Sequence, residues 1–395
     1  MTSVDAAVNA GWESYARIVA SLIRVTGDWT LAEDCAQEAM AAALERWPRD
    51  GVPVNPGGWL LTVARNRAID VLRRAAVEKT KLQEVAMLWD PAHPTPHEID
   101  DDRLRLIFTC CHPALSLEAR VALTLRTVAG VPTADIARAF LVAEPTMTRR
   151  ITRAKSKIAD AHIPYRVPTG EALADRLPGV LAVLYLLFTR GYDADGEPAF
   201  AEEAIRLARL LAELMPAEPE VPSLLALFLL QHSRRHARRD AVGDLVTLDR
   251  QDRSRWDRAA IAEALGILLH TPVEGPYAIQ ARIAACHATT PTDWVSIAGW
   301  YDQLAQVQPS PIVALNRAVA HGYAHAPAAG LALLAEARSG GALDNYPAAI
   351  AVEADLIARS GDWPRAAALF REAAAAAPSD VERRALLSRA AELTV

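Results

Sequence analysis

Apolar side chains recur at three- and four-residue steps along most of the chain, while long runs of β-branched residues are scarce. That period belongs to amphipathic helices, and a composition led by alanine and leucine favours the same state. The expected fold class is all-α. Breaks in the pattern divide the chain into modules. Residues 10–76 read as helices interrupted at Gly27-Asp28 and between Pro48 and Gly58. Residues 77–99 hold Asp90-Pro91, His93-Pro94 and Thr95-Pro96. Each proline fixes φ, lacks an N–H and restricts its predecessor, so this stretch is expected to be a linker. A second helical module covers 100–163 and ends near Ile163-Pro164. Residues 170–395 follow as a long helical tract punctuated by proline and glycine, including Pro216, Pro272, Pro291 and Pro311.

Two segments of the tract echo one another. The stretch from Ile312 followed by Pro327 is repeated, in kind, from Ala349 followed by Pro364, an offset of 37 residues between the two prolines. Helix–turn–helix repeats near this length stack into solenoids, with small residues where paired helices approach. A tetratricopeptide-like C-terminal domain is expected.

Within the second module, PTADIARAFLVAEPTMTRRITRAKSKI (132–158) reads as a helix-turn-helix. Thr133 is positioned as an N-cap, and Ile136, Ala137 and Phe140 give the first helix an apolar face. Leu141 to Ala143 form the turn, and Pro145 suits the first turn of the second helix. There Met147, Ile151, Ala154 and Ile158 step inward, whereas Thr146, Arg149, Arg150, Arg153 and Lys157 share a neighbouring face. From Glu144 to Lys157 there are five basic residues and one acid. A short helix, a tight turn and a basic second helix are what reading a DNA major groove requires. A solvated charged face on an ordinary helical hairpin is the alternative.

A second basic helix, WLLTVARNRAIDVLRR, starts at Trp59. Leu61, Ala64, Ala68, Val71 and Ala75 mark its buried side, opposite Thr62, Arg65, Asn66, Asp70 and Arg73, with Arg74 beside them. Asn and Arg can bond base edges as well as phosphates. Trp59 could stack on an unpaired base or anchor the helix start. The preceding helix carries Asp34, Gln37, Glu38 and Glu45 along one exposed side. An acidic face gains nothing beside phosphates and suits a protein partner, although a solvated face would look alike.

The net charge of −6 does not announce a nucleic-acid binder, but it averages over modules and leaves room for local basic faces. The N-terminus has no basic segment leading into an apolar one. The longest apolar run, VLAVLYLLF, falls short of a membrane span. A cytoplasmic protein without membrane contact is expected. Four cysteines make no disulfide framework. Cys110-Cys111-His112 cannot easily hold one tetrahedral metal, so buried small side chains and a His-Pro turn are expected, with no metal and no cofactor. The basic run from His232 to Arg239 is expected to be a solvated helix end. No phosphate-cradling glycine loop, GxSxG or HExxH occurs, and no catalytic residue is assigned.

Taken together, AEDCAQEA from Ala32 with the helix from Trp59 resembles sigma factor region two, and IA at Ile136 with TMTRRITRAK from Thr146 resembles region four. No region-three domain fits between them, as in extracytoplasmic-function (ECF) sigma factors. RLIFTCCHPAL from Arg105, LYLLF from Leu184, QDRSRWD from Gln251 and LNRAVA from Leu315 are similar to the subgroup with a tetratricopeptide-like C-terminal extension. The resemblance implies promoter DNA and the RNA polymerase core (β′ clamp and β flap) as partners. Asp34, Gln37 and Glu38 would meet the polymerase. Trp59, Thr62, Arg65, Asn66, Arg73 and Arg74 would serve the −10 element, and Thr146, Thr148, Arg149, Arg150, Arg153 and Lys155 the −35 element. Lys157 is favoured by the helical wheel rather than by the resemblance. The extension is expected to control activity through intramolecular or partner contacts. A stand-alone helix-turn-helix regulator with a partner-sensing tail, or a helical adaptor without a DNA role, are the competing readings.

Overall fold

The computed structural model of the chain describes residues 3–75, 96–140, 142–192, 198–240, 244–344, 346–377 and 379–394. Those residues form α-helices and short 3-10 turns, with no strand longer than an isolated bridge between Arg239 and Leu245. They fall into two compact units, Met1–Arg190 and Gly191–Val395.

The first unit begins with a three-helix group, α1 (Ser3–Thr26), α2 (Trp29–Asp50) and α3 (Pro56–Ala75), whose members all touch one another. Ile18, Val19 and Leu22 of α1, Ala36, Ala39 and Trp47 of α2, and Leu60, Ala64 and Ala68 of α3 are buried. Small side chains on α2 let its neighbours approach closely. Asp28 caps α2 by accepting from the amides of Thr30 and Leu31 at 2.9 and 3.0 Å. Two expectations shift here. Helix α2 runs through Pro48 to Asp50, because a proline in the last turn displaces few backbone bonds. Gly51, at φ +84°, then closes it. In α3 the fully buried leucine is Leu60, with Leu61 only half-buried.

The proline-broken segment expected at 77–99 lies outside the described residues up to 95. From Pro96 onward the chain is already helical in α4 (Pro96–Cys110), where proline is tolerated as the first residue. Helix α4 packs on α1 and is followed by α5 (Leu117–Thr127), α6 (Thr133–Ala139) and α7 (Glu144–Asp160). Cys110 and Cys111 are buried, and burial pushes the Cys111 thiol up to about 11, so it stays protonated within the core. The His112-Pro113 turn closes through the Leu115 amide on the His112 carbonyl at 3.0 Å. Among the described residues no group of three His, Cys, Asp or Glu side chains could hold a metal ion.

Helix α8 (Glu171–Tyr192) contains the VLAVLYLLF run, and contrary to expectation its length and composition are those of a membrane-crossing helix. The nine-residue run understates it because helical residues on both flanks extend the apolar window. Leu177, Val180, Leu181, Leu184, Leu187 and Phe188, on one side of it, are nonetheless buried inside the chain. Up to Arg190 this helix belongs to the first unit, although the C-terminal domain is expected from 170. Arg176 is one tie, bonding the Phe108 carbonyl with its guanidinium over the Phe108 ring.

The second unit comprises α9 (Pro198–Leu214), α10 (Glu220–His232), α11 (Arg258–His270), α12 (Pro276–Ala288), α13 (Trp294–Val307), α14 (Pro311–Ala324), α15 (Pro327–Arg338), α16 (Pro347–Arg359), α17 (Trp363–Ala375) and α18 (Asp380–Glu392). Prolines that break the sequence pattern sit in the first turns of α12, α14, α15, α16 and α17. The two echoed segments become the hairpins α14–α15 and α16–α17. Small residues do mark the approach of α14 to α15. A Cβ on Gly330 would meet the Ala318 carbonyl oxygen at 2.7 Å and the Gly322 Cα at 2.9 Å.

The run from His232 departs from its expected solvated state. Arg234 donates to the Tyr192 hydroxyl at 2.9 Å, Arg238 to the Tyr192 carbonyl, and Arg235 lies 3.6 Å from Asp257. Only His236 and Arg239 of the basic residues are exposed. Tyr192 at the end of α8 thus takes two of these arginines, and Asp257, just before α11, takes Arg235.

Candidate nucleic-acid interface

The helix-turn-helix is built as its spacing predicts, with one change at its entrance. Thr133 is the first residue of α6, and the Pro132 carbonyl accepts the Ile136 amide at 3.1 Å, so Pro132 holds the cap position. The turn closes through the Val142 amide on the Ala137 carbonyl at 3.0 Å. In α7, Met147, Ile151, Ala154 and Ile158 are buried, each larger side chain contributing about 2 kcal/mol. This anchor fixes the rotation of α7 and leaves Thr146, Thr148, Arg149, Arg153 and Lys157 exposed. An open cleft of about 420 Å³ runs between this face and the start of α5, lined by Arg149, Arg150, Arg153 and Lys157.

Two expected −35 residues are engaged elsewhere in this conformation. Arg150 is 3.3 Å from Glu118 of α5, and its guanidinium lies over the Phe140 ring at 5.9 Å. Lys155 points away from the exposed face, with its ammonium 2.9 Å from Glu33 of α2 and its side chain 16% exposed. Lys157, found from the helical wheel alone, is on the open face.

On the first basic helix, Thr62, Asn66, Arg73 and Arg74 are exposed and Arg65 is half-buried. Asn55 accepts the Gly58 amide at 2.9 Å, which starts the helix and sets its face. Trp59 is half-buried and meets Trp47 edge-on at 5.5 Å, so its anchoring role is realised. On α2, Asp34, Gln37 and Glu38 are all exposed. Arg67 of α3 donates to the Glu38 carboxylate at 3.2 Å.

Sequence reasoning missed Glu33. It lies beside Ala32 and Ala36 on the apolar side of α2, and an acid in that stripe was the available signal. Beside it, burial and the Glu33 charge push the Tyr15 hydroxyl up to about 12.

An all-helical chain with a helix-turn-helix whose basic face is exposed, preceded by a second basic helix, defines a DNA-binding protein. Comparison with known proteins narrows this class. A family described as Sigma-70 region 2 matches residues 12–77, and Sigma-70, region 4 matches residues 105–158. Residues 176–271 match a family of unknown function, DUF6596. An ECF RNA polymerase sigma factor of Mycobacterium tuberculosis, SigL, is 33% identical over 130 residues, covering 33% of this chain and 73% of that protein. A probable ECF RNA polymerase sigma factor from the same species, SigI, is 27% identical over 164 residues, 40% of this chain and 56% of its own. An uncharacterized protein of Rhizobium meliloti, R00370, is 43% identical over 356 residues, 82% of this chain and 83% of its own. No solved structure matches. The chain belongs to the ECF family of RNA polymerase sigma factors, in the form that carries a C-terminal helical extension.

Proposed function

We propose that this sigma factor directs core RNA polymerase to promoters by dividing three tasks among its surfaces. The exposed basic face of α7 supports the reading most strongly, because it occurs in one chain with a region-two module. Thr146, Thr148, Arg149, Arg150, Arg153 and Lys155 address the −35 duplex, with Lys157 beside them. Trp59, Thr62, Arg65, Asn66, Arg73 and Arg74 address the −10 element, where a base is drawn from the stack. That extrusion costs a few kcal/mol, recovered by stacking and base-edge bonds. Asp34, Gln37 and Glu38 dock on the β′ clamp, and region four meets the β flap. Phosphate contacts supply most of the affinity, and the few base contacts supply selectivity. The protein performs no covalent step and acts where transcription occurs, in the cytoplasm.

The C-terminal extension regulates this activity, through a partner or through the sigma modules themselves. Its repeat-like hairpins are the kind of scaffold that presents a binding surface.

Run-off transcription with purified core polymerase, mapped across genomic DNA, tests the proposal. The expected result is initiation at discrete sites that core alone ignores. Failure at every site would favour a stand-alone regulator. A chain truncated after Arg190, which retains the arginine ties of α8, should change promoter output; unchanged output and stability would remove the regulatory role.

A further inference from the structure

Arg150 differs from the other cations on the cleft. Arg149, Arg153 and Lys157 are exposed, whereas Arg150 is half-buried and held on two sides. Its Nη1 stands 3.3 Å from the carboxylate of Glu118, in the first turn of α5, and its guanidinium lies over the Phe140 ring at 5.9 Å. Phe140 closes the first helix of the helix-turn-helix, with its amide on the Ile136 carbonyl at 3.0 Å. The same ring takes a second guanidinium, that of Arg190 at the end of α8, at 5.1 Å. Arg190 lies beyond the region-four match and inside the segment that matches the family of unknown function. Helix α8 meets the helix-turn-helix module at two earlier points as well. Arg176 bonds the Phe108 carbonyl, and a Cβ on Gly179 would come within 3.6 Å of the Arg120 guanidinium. Arg120 in turn donates to the Leu115 and Pro113 carbonyls at 2.9 and 3.0 Å, and so shapes the loop beside the cleft.

An arginine on a solvated helix face samples many rotamers, and its gain from a phosphate depends little on direction. Reading a base requires a fixed fork. With Nη1 turned to Glu118, the side edge formed by Nε and Nη2 can still take a paired acceptor. Guanine, with O6 and N7 in the major groove, presents such a pair. The carboxylate has a second effect. Its side chain is 69% exposed, and its negative charge beside a duplex lowers affinity for every sequence. A group that costs affinity everywhere while it aims one arginine serves selectivity.

We propose that Arg150 reads a guanine in the −35 duplex, with Glu118, Phe140 and Arg190 as its positioning residues. The helix that opens the segment of unknown function thereby belongs to the DNA-reading head. The proposal rests on the assignment of α7 to the −35 element made above, and it names the base and the residues that aim its reader.

Selection from a randomised duplex pool, long enough to span both promoter elements, tests this with holoenzyme assembled from core polymerase and the full chain. Wild type should enrich guanine at a −35 position, and Arg150→Ala should lower that preference about tenfold while other positions hold. Glu118→Gln should lower the same preference and tighten binding to a duplex of unrelated sequence about twofold. A damaged fold cannot produce those opposite changes. Arg190→Ala, at an exposed site, should lower the guanine preference about threefold, and Phe140→Leu should act alike. Phe140→Tyr keeps the ring and should retain the wild-type preference. A guanine preference that survives Arg150→Ala overturns the proposal, as does one unchanged in both Glu118→Gln and Arg190→Ala. Equal weakening at every position in those two variants would reduce them to packing residues and overturn it too. Holoenzyme that enriches no sequence at all would sink the sigma reading itself, a result distinct from an enriched motif that the variants leave unaltered.

Discussion

Arg153 offers the most direct test of how α7 meets DNA. It is exposed on the cleft, on the opposite side from the buried stripe, and no ionic partner for it occurs among the described residues. A guanidinium so placed can neutralise one backbone phosphate and release its counterion. The slope of log affinity against log salt would then fall in magnitude by about 0.9 when Arg153→Ala removes it. Between about 50 and 200 mM salt, that slope difference changes the ratio of wild-type to variant affinity about 3.5-fold, with the larger deficit at low salt. Fluorescence anisotropy on any labelled duplex suffices, because the phosphate contribution does not depend on sequence. A base-edge contact would behave otherwise: it would cost about 1–3 kcal/mol on the cognate site alone and leave the slope nearly unchanged. Arg150→Ala supplies the comparison, since its guanidinium already faces Glu118 at 3.3 Å and should alter the slope by less than half as much. An Arg153→Ala slope and affinity both equal to wild type would refute the placement of this face against DNA.

Two further predictions concern the extension. Gly330→Ala should destabilise it by about 1–2 kcal/mol, because overpacking against the Ala318 carbonyl and Gly322 backbone outweighs the gain in helix propensity. Gly266→Ala, in α11 with nothing within 4 Å, should stabilise by about 0.5–1 kcal/mol; melting temperatures that shift in the same direction would contradict this packing. Burial, then cationic neighbours, hold His232 and His287 down to about 4 from the usual 6.5. A depressed histidine leaves the unfolded chain to take up protons first, so stability is full above about pH 6.5 and declines as pH falls towards about 4. At pH 5 the loss is about 2 kcal/mol per histidine, or about half that after allowance for partial exposure. Thermal melts of wild type and a His232→Gln, His287→Gln double variant between about pH 7 and 5 should separate accordingly; parallel curves would contradict the assignment.

Helix type, the inward stripe of α7 and the exposure of Asp34, Gln37 and Glu38 were legible in the sequence. Each depends on a period of three to four residues, and backbone hydrogen bonding makes that information local. Pro311, read as a break, is a helix start, whereas Pro216, Pro272 and Pro291 do lie between helices; a fixed φ serves both roles. What the wheel of one helix cannot contain is the identity of its neighbour. Lys155 and Arg153 belong to the same basic run, yet one meets Glu33 from a distant part of the chain and the other faces the open cleft. The arginines after His232 turned inward because Tyr192, from earlier in the chain, and Asp257, from later, meet them there, and α8 joined the first unit through ties to residues far earlier. Buried charge is tolerated only where a partner arrives from elsewhere in the fold, so the pairing of charges was decided by tertiary packing, while the helices and their faces were decided by the sequence itself.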